Sequence, residues 1–334
     1  MSKFSHIYIE DEALVYPIST RILERFPNAK RVQISDYKEV FGRLNQHFQI
    51  QKRSVKLILS VKKGGYLYRG SDFSQGFGYK NFYYNTLMLN CVYNCDYCYL
   101  QGMYPSANMV LFVNLEDFFE ATKKAVAERE YKSEPLYLSV SYNTDLLAFE
   151  SVVPYTAYWI EFADACDDLL IEVRTKSANY KAIKHLKVTP RVILAWTLSP
   201  REVAEVYEKG APSLDRRLEA IKEAMEDGWQ VRLCFDPVLR IRNWKYVYTD
   251  FVEEVFRYLP VERVYDVSLG VFRMNADYLR RIRRLRQDSD ILFYPFEVRG
   301  DTVSYPLLHR KEMISSLLEK LTRYIPKERI AIWE

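Results

Sequence analysis

Long apolar runs, histidine, glycine and an excess of one charge sign are all scarce in this 334-residue chain. No run approaches eighteen apolar residues, which excludes a simple membrane-spanning helix. The opening "MSKFSHIYIEDEALVYP" has neither the apolar stretch nor the small-residue cleavage site of a signal peptide, so a cytoplasmic protein with no membrane partner is expected. The four histidines, His6, His47, His185 and His309, are scattered and offer no regular Cys/His zinc pattern. Among 11 glycines none forms a GxGxxG turn after a strand, which argues against a dinucleotide-binding fold. A net charge of +4 is too small for strong global attraction to nucleic acid, although it leaves room for a local basic face.

With 49% of residues hydrophobic and 28% charged, the chain can bury a sizeable core. Its 27 tyrosines exceed what a core needs, because each buried phenol must find a hydrogen-bond partner; some are expected to line a cavity or groove. Of five cysteines, three lie in "CVYNCDYCYL". Such bunching fits a reducing compartment and a metal or catalytic use better than a disulfide framework.

Residues 1–80 read as a small α/β domain, with "HIYIE", "RVQIS" and "VKLILSV" extended and "STRILERF" and "SDYKEVFGRL" helical. The glycine-rich stretch "KKGGYLYRGSDFSQGFGYKN" marks a boundary. Beyond it, "FYYNTLMLN", "PLYLSVSY", "DLLIEVRT", "RVILAWTL", "WQVRLCFDP" and "VYDVSLGVF" alternate with amphipathic helical stretches. Six such units imply a parallel sheet over 81–290, doubly wound or curled into a barrel, and leave 291–334 as a C-terminal extension packed on it. Ligands of parallel α/β folds sit where strands end. The polar strand ends are the cysteine cluster, "SYNTD", "TK", "TLSP" and "DPVLR".

Cys91, Cys95 and Cys98 have the spacing C-x3-C-x2-C. Zinc would want a fourth ligand that the scattered histidines do not supply, and three purely structural cysteines are the blandest alternative. Three close thiolates suit a [4Fe–4S] cluster with one iron left open.

This spacing after the first strand of an α/β barrel resembles the radical S-adenosylmethionine (SAM) superfamily. "YIEDEALVYP", "CVYNCDYCYLQG", "LFVNLEDFF", "RTK" and "GAPSLDRRLEAIKEAMEDGW" are similar to the spore photoproduct lyase family within it. The resemblance implies a partial (β/α)6 TIM-like barrel with a small N-terminal α/β domain. It implies that Cys91, Cys95 and Cys98 hold a [4Fe–4S] cluster, and that Thr144, Lys176 and Thr197 contact SAM, the lysine pairing with its carboxylate. It also implies an external one-electron reductant, a 5′-deoxyadenosyl radical, and reversal of a thymine dimer in DNA. Tyr97 and Tyr99 match tyrosines on the radical path back to SAM; rings shielding the cluster from water are the plainer alternative.

Two departures from the family stand out. Where it places a hydrogen-donating cysteine, this chain has "SVSYNTD", with Ser141 and Tyr142, and no cysteine occurs between Cys98 and Cys166. A serine O–H bond is too strong to replace a thiol; the Tyr142 phenol, the Cys234 thiol or another group is then the donor. Strand alternation puts Cys234 on one face with Arg232 and Asp236, whereas Cys166 reads as core. In place of the family's basic, lesion-engaging hairpin stands "FYPFEVRGDTVSYPLLH", with Glu297 and Asp301. Basic runs occur instead at "RRIRRLRQ" and "RIRNWKY", which are either phosphate contacts or solvated helix faces. Besides a DNA photoproduct lyase, two readings stay open: a same-family enzyme acting on another nucleic acid or a peptide, and a non-catalytic cluster protein that binds DNA or senses redox state.

Overall fold

The apolar runs near the start of the chain fold as parallel strands β1 (His6–Glu10), β2 (Lys30–Ile34) and β3 (Leu57–Ser60), with β1 central. Helix α1 (Pro17–Arg25) connects β1 to β2; it starts on a proline and buries Ser19, Ile22 and Leu23 on one face. The computed structural model describes residues 4–71 and 75–334. It divides into two compact units, Met1–Val92 with Met103–Glu172, and Tyr93–Gly102 with Val173–Glu334.

In the first unit, β4 (Leu67–Arg69) lies antiparallel to β5 (Phe82–Asn85). The N-terminal sheet reaches past residue 80, because β8 (Met109–Phe112) joins β3 in parallel and β6 (Met88–Leu89) caps that edge antiparallel. Strand β9 (Leu136–Ser139) runs parallel to β5, and β10 (Leu169–Thr175) continues in parallel through Leu169–Glu172. Helix α2 (Leu115–Glu128) buries Leu115, Phe118, Thr122 and Val126, the three- and four-residue spacing that its sequence displays.

Helix α3 (Tyr155–Asp164) carries a buried acid at its entrance, where Glu150 accepts the backbone N–H groups of Thr156 (2.8 Å) and Ala157 (2.9 Å). Burial outweighs these bonds and lifts the carboxyl from 4.5 to about 7. The folded state therefore holds this proton longer than the unfolded state does, and stability falls as pH rises from 4.5 to 7, by at most about 3 kcal/mol. Glu150→Gln should flatten the dependence of melting temperature on pH across that window; an unchanged slope would show that the group does not titrate there.

The second unit is built on parallel strands β11 (Val192–Thr197), β13 (Gln230–Val238), β14 (Val264–Val271) and β18 (Ile330–Trp333). Its remaining strands are short. β7 (Asn94–Cys95) pairs antiparallel with β12 (Glu208–Lys209). β15 (Arg273–Asn275), β16 (Glu297–Arg299) and β17 (Thr302–Ser304) make an antiparallel sheet, so "FYPFEVRGDTVSYPLLH" does form a hairpin. Helices α4 (Arg201–Tyr207), α5 (Leu214–Glu226), α6 (Trp244–Tyr258), α7 (Ala276–Leu285) and α8 (Leu307–Leu321) complete the unit. The strand–helix alternation read from the sequence is present, with parallel pairing of β5, β9 and β10 and, in the second unit, of β11, β13 and β14. No described helix is long and apolar enough to cross a membrane.

Candidate active site

No disulfide forms among the five cysteines; Cys95 is buried and Cys91 and Cys98 are half-buried. In the first unit, Asn90 adopts a left-handed conformation (φ 69°), and its side-chain amide donates to the carbonyls of Ser106 and Asn108, both at 2.7 Å. The ammonium of Lys52 donates to the carbonyl of Cys91 at 2.5 Å. Backbone approaching the first cysteine is thus fixed by side chains, a use that Asn and its tolerance of positive φ serve well.

In the second unit, Cys95 and Cys98 are joined by a turn in which the Cys98 N–H donates to the Cys95 carbonyl at 3.2 Å. The β7–β12 pairing sets Cys95 opposite Glu208. Between the cysteines, Tyr97 turns inward and its hydroxyl donates to Glu208 Oε1. The same carboxylate accepts from Ser199 Oγ (2.9 Å) and Arg217 Nη2 (2.5 Å), and Arg217 also donates to the carbonyls of Thr197 (3.3 Å) and Pro212 (2.9 Å). Neither Glu208 nor Arg217 has any side-chain exposure. Lys176 Nζ stands 5.3 Å from the centre of the Tyr97 ring.

The electrostatics follow from this packing. Burial works against ionised Glu208, yet Lys176 and Arg217 hold its carboxyl below the usual range. Burial, together with the charges of Glu208 and Cys95, pushes the Tyr97 phenol well above its ordinary value, so it keeps its proton. Lys176 remains charged because Cys95 and Glu208 outweigh its desolvation.

The residues expected from the sequence to contact SAM divide between the units. Lys176 lies beside Tyr97, and Thr197, at the end of β11, has its carbonyl tied to Arg217. In the first unit, Thr144 follows β9 and its hydroxyl oxygen is buried with no hydrogen-bond partner. A buried unpaired hydroxyl is costly and fits a bound polar ligand. Tyr99 is half-buried next to Cys98. Of the two candidate hydrogen donors, Cys234 is fully buried and opposite Thr197 in the β11–β13 register, whereas Tyr142 is 36% exposed. The Tyr142 ring stacks on Tyr84 (4.2 Å between centres, 23° between planes), which stacks in turn on Tyr68 (5.2 Å, 21°). Ser141 is buried.

Among the described residues, no three His, Cys, Asp or Glu side chains gather closely enough for one metal ion. Tetrahedral zinc would want its sulfurs about 3.8 Å apart. Thiols at this spacing with no histidine in the set instead suit an iron–sulfur cluster, whose sulfurs bind different irons.

A family model described as spore photoproduct lyase matches residues 3–285. The chain belongs to the spore photoproduct lyase family. It is 24% identical over 272 residues to the spore photoproduct lyase of Geobacillus sp. (strain Y412MC61), and 21% identical over 272 residues to that of Bacillus subtilis (strain 168). Each alignment covers 80% of this chain and 77% of the relative. Among solved structures, a spore photoproduct lyase variant with dinucleoside spore photoproduct has a TM-score of 0.86 at 19% identity, covering 100% of this chain and 99% of the other. A second variant, with bound SAM and the same dinucleoside, has a TM-score of 0.84 at 19% identity, again covering 100% and 99%. The fold class is therefore the radical SAM α/β type that the sequence implied.

Three site residues escaped the sequence reading: Glu208, Arg217 and Arg286. The first two lie within and just before "GAPSLDRRLEA", and a core-facing arginine in an amphipathic helix is the signal that could have found Arg217. The run "RRIRRLRQ" is only in part a solvated face: Arg280, Arg281 and Arg284 are exposed, but the run also makes internal contacts. Arg281 donates to the Gly102 carbonyl (3.1 Å), Arg283 to those of Leu292 (2.7 Å) and Tyr294 (3.3 Å), and Arg286 is buried. These side chains satisfy carbonyls at loop and helix ends, a demand that charge patterning does not display. In "RIRNWKY", by contrast, Arg242, Lys245 and Tyr246 are exposed.

Proposed function

We propose that this family member is a radical SAM lyase that reverses the spore photoproduct in DNA. The observation that carries the reading is the buried Tyr97–Glu208–Arg217 arrangement, with Lys176 over the Tyr97 ring, immediately behind Cys95 and Cys98. A redox sensor has no use for a buried cation beside a tyrosine whose proton already rests against a carboxylate.

Cys91, Cys95 and Cys98 would hold a [4Fe–4S] cluster, and Thr144, Lys176 and Thr197 would bind SAM. When bound, these groups together supply a 5′-deoxyadenosyl radical, given an electron from an external donor. Lys176 presents a fixed positive charge to a carboxylate. Thr144 offers its unpaired hydroxyl as donor and acceptor. Tyr97 holds its O–H against Glu208 Oε1, so if a radical of the reaction takes an electron from the ring and a proton from solvent, the phenol's own proton can pass to that oxygen. Arg217 and Ser199 keep the carboxylate oriented to receive it.

Hydrogen donation to the repaired thymine falls to Tyr142. Its phenol stands next to Ser141, is partly exposed, and is held flat against Tyr84, whereas the Cys234 thiol is enclosed. The acidic character of the hairpin is also less adverse to DNA than its sequence suggests. Glu297 accepts from Arg299 (3.2 Å) and from the Leu307 N–H at the start of α8 (3.1 Å), so its charge is used internally.

The test is repair of a synthetic spore-photoproduct dinucleotide in deuterated water under anaerobic, reducing conditions. Wild-type and Cys234→Ala protein should incorporate solvent deuterium at comparable rates. Tyr142→Phe should repair at least about tenfold more slowly, a barrier change of about 1.4 kcal/mol. If Cys234→Ala is the slow variant, the thiol is the donor. If wild-type protein leaves the dimer intact, the lyase reading fails.

A further inference from the structure

Arg286 ends helix α7 and is 3% exposed, and its guanidinium donates four hydrogen bonds to one short segment, the loop that carries Cys95 and Cys98. Nη1 donates to Asp96 Oδ1 (2.5 Å), Nη2 to the Asn94 carbonyl (3.1 Å) and Oδ1 (2.5 Å), and Nε to Gln101 Oε1 (2.6 Å). Gln101 extends the grip, because its Nε2 donates to the carbonyls of Cys95 (2.8 Å), Asp96 (3.2 Å) and Cys98 (3.3 Å). The carbonyls of both cysteines are therefore tied to Arg286 through one amide.

The far end of the loop is pressed against the start of the same helix. A Cβ on Gly102 would come within 2.5 Å of the Tyr278 Cα and carbonyl oxygen, and Arg281 donates to the Gly102 carbonyl at 3.1 Å. Helix α7 thus meets the loop at both ends, with Gly102 permitting the approach and Arg286 closing it.

We propose that Arg286 is the positioning residue of the cluster loop, holding Asn94, Asp96 and Gln101 so that Cys95 and Cys98 keep their cluster-binding geometry. Only a planar fork with five donors reaches an acid, an amide and a carbonyl at once; lysine, a single point donor, cannot. The matched family segment ends at residue 285, one position short of this arginine. The proposal rests on the reading of the cysteines as cluster ligands and is independent of what the enzyme repairs.

The test is iron release to a chelator from anaerobically reconstituted protein, with electron paramagnetic resonance of the reduced cluster and circular dichroism of each variant. Arg286→Lys should fold, release iron about tenfold to a hundredfold faster than wild type, and shift the resonance signal, as loss of partners around metal ligands does. Asn94→Ala, which removes one bond of the fork and is the variant to rely on if Arg286→Lys does not fold, should release iron several-fold faster. Arg280→Ala, an exposed neighbour on the same helix, should match wild type. Release rates and spectra unchanged in folded Arg286→Lys, or in Asn94→Ala, would overturn the proposal. A wild-type chain that takes up no iron would instead sink the ligand reading on which it rests.

Discussion

Glu208→Gln should lower the stability of the protein by about 3–5 kcal/mol, the cost of leaving one partner of a buried ion pair uncompensated. The variant keeps the shape of the side chain and an acceptor for Tyr97, but it strands the positive charges of Arg217 and Lys176, which the carboxylate balances. It should also change the acid response. A carboxyl held low in the folded state contributes stability that is present above its unfolded value of 4.5 and is lost as pH falls through the folded value. The Gln variant should lack that component of acid destabilisation while melting earlier at neutral pH. Tyr97→Phe, which removes one hydrogen bond to a charged group, should cost only about 1.5–3 kcal/mol. A Glu208→Gln protein that melts with wild type would show that the carboxylate is not the counterion of this site.

Lys176→Met should leave a folded protein whose affinity for SAM falls about tenfold to a hundredfold, in keeping with the loss of one charge-assisted contact. The stem of the lysine is retained by methionine, so packing against Tyr97 changes little and the loss reports the charge. Titration calorimetry of reconstituted protein reads it directly. Thr144→Val should produce a smaller loss, because it replaces a neutral hydroxyl. Equal affinities in wild type and Lys176→Met would remove the lysine from the SAM site.

The parts of this fold that were legible in the sequence are those governed by periodicity. β9, β10, β11, β13 and β14 lie where apolar runs announced them, and α2, α3 and α5 where three- and four-residue spacing did. Pairings between distant segments were not legible. The two-residue strands β6, β7 and β12 are too short to carry a pattern, yet the last two set Cys95 against Glu208. The cysteine cluster could be singled out because its spacing is local, and Lys176 because it follows a strand. Glu208 could not, since a lone glutamate at the end of a helix looks like surface until Arg217, nine positions on, is folded against it. The arginine run was legible only in part for the same reason: its charge is exposed at Arg280 and Arg284, whereas what matters at Arg286 is the partners that wait more than 180 residues away in the chain.

Whether this chain repairs the dimer is read by incubating anaerobically reconstituted protein with SAM, a one-electron reductant and the spore-photoproduct dinucleotide, and separating the products by chromatography. Conversion of the dimer to the unlinked thymine dinucleotide is expected, dependent on both SAM and reductant and absent in Cys98→Ala. Formation of 5′-deoxyadenosine with the dimer left intact would contradict it, leaving a radical SAM enzyme whose substrate is something else.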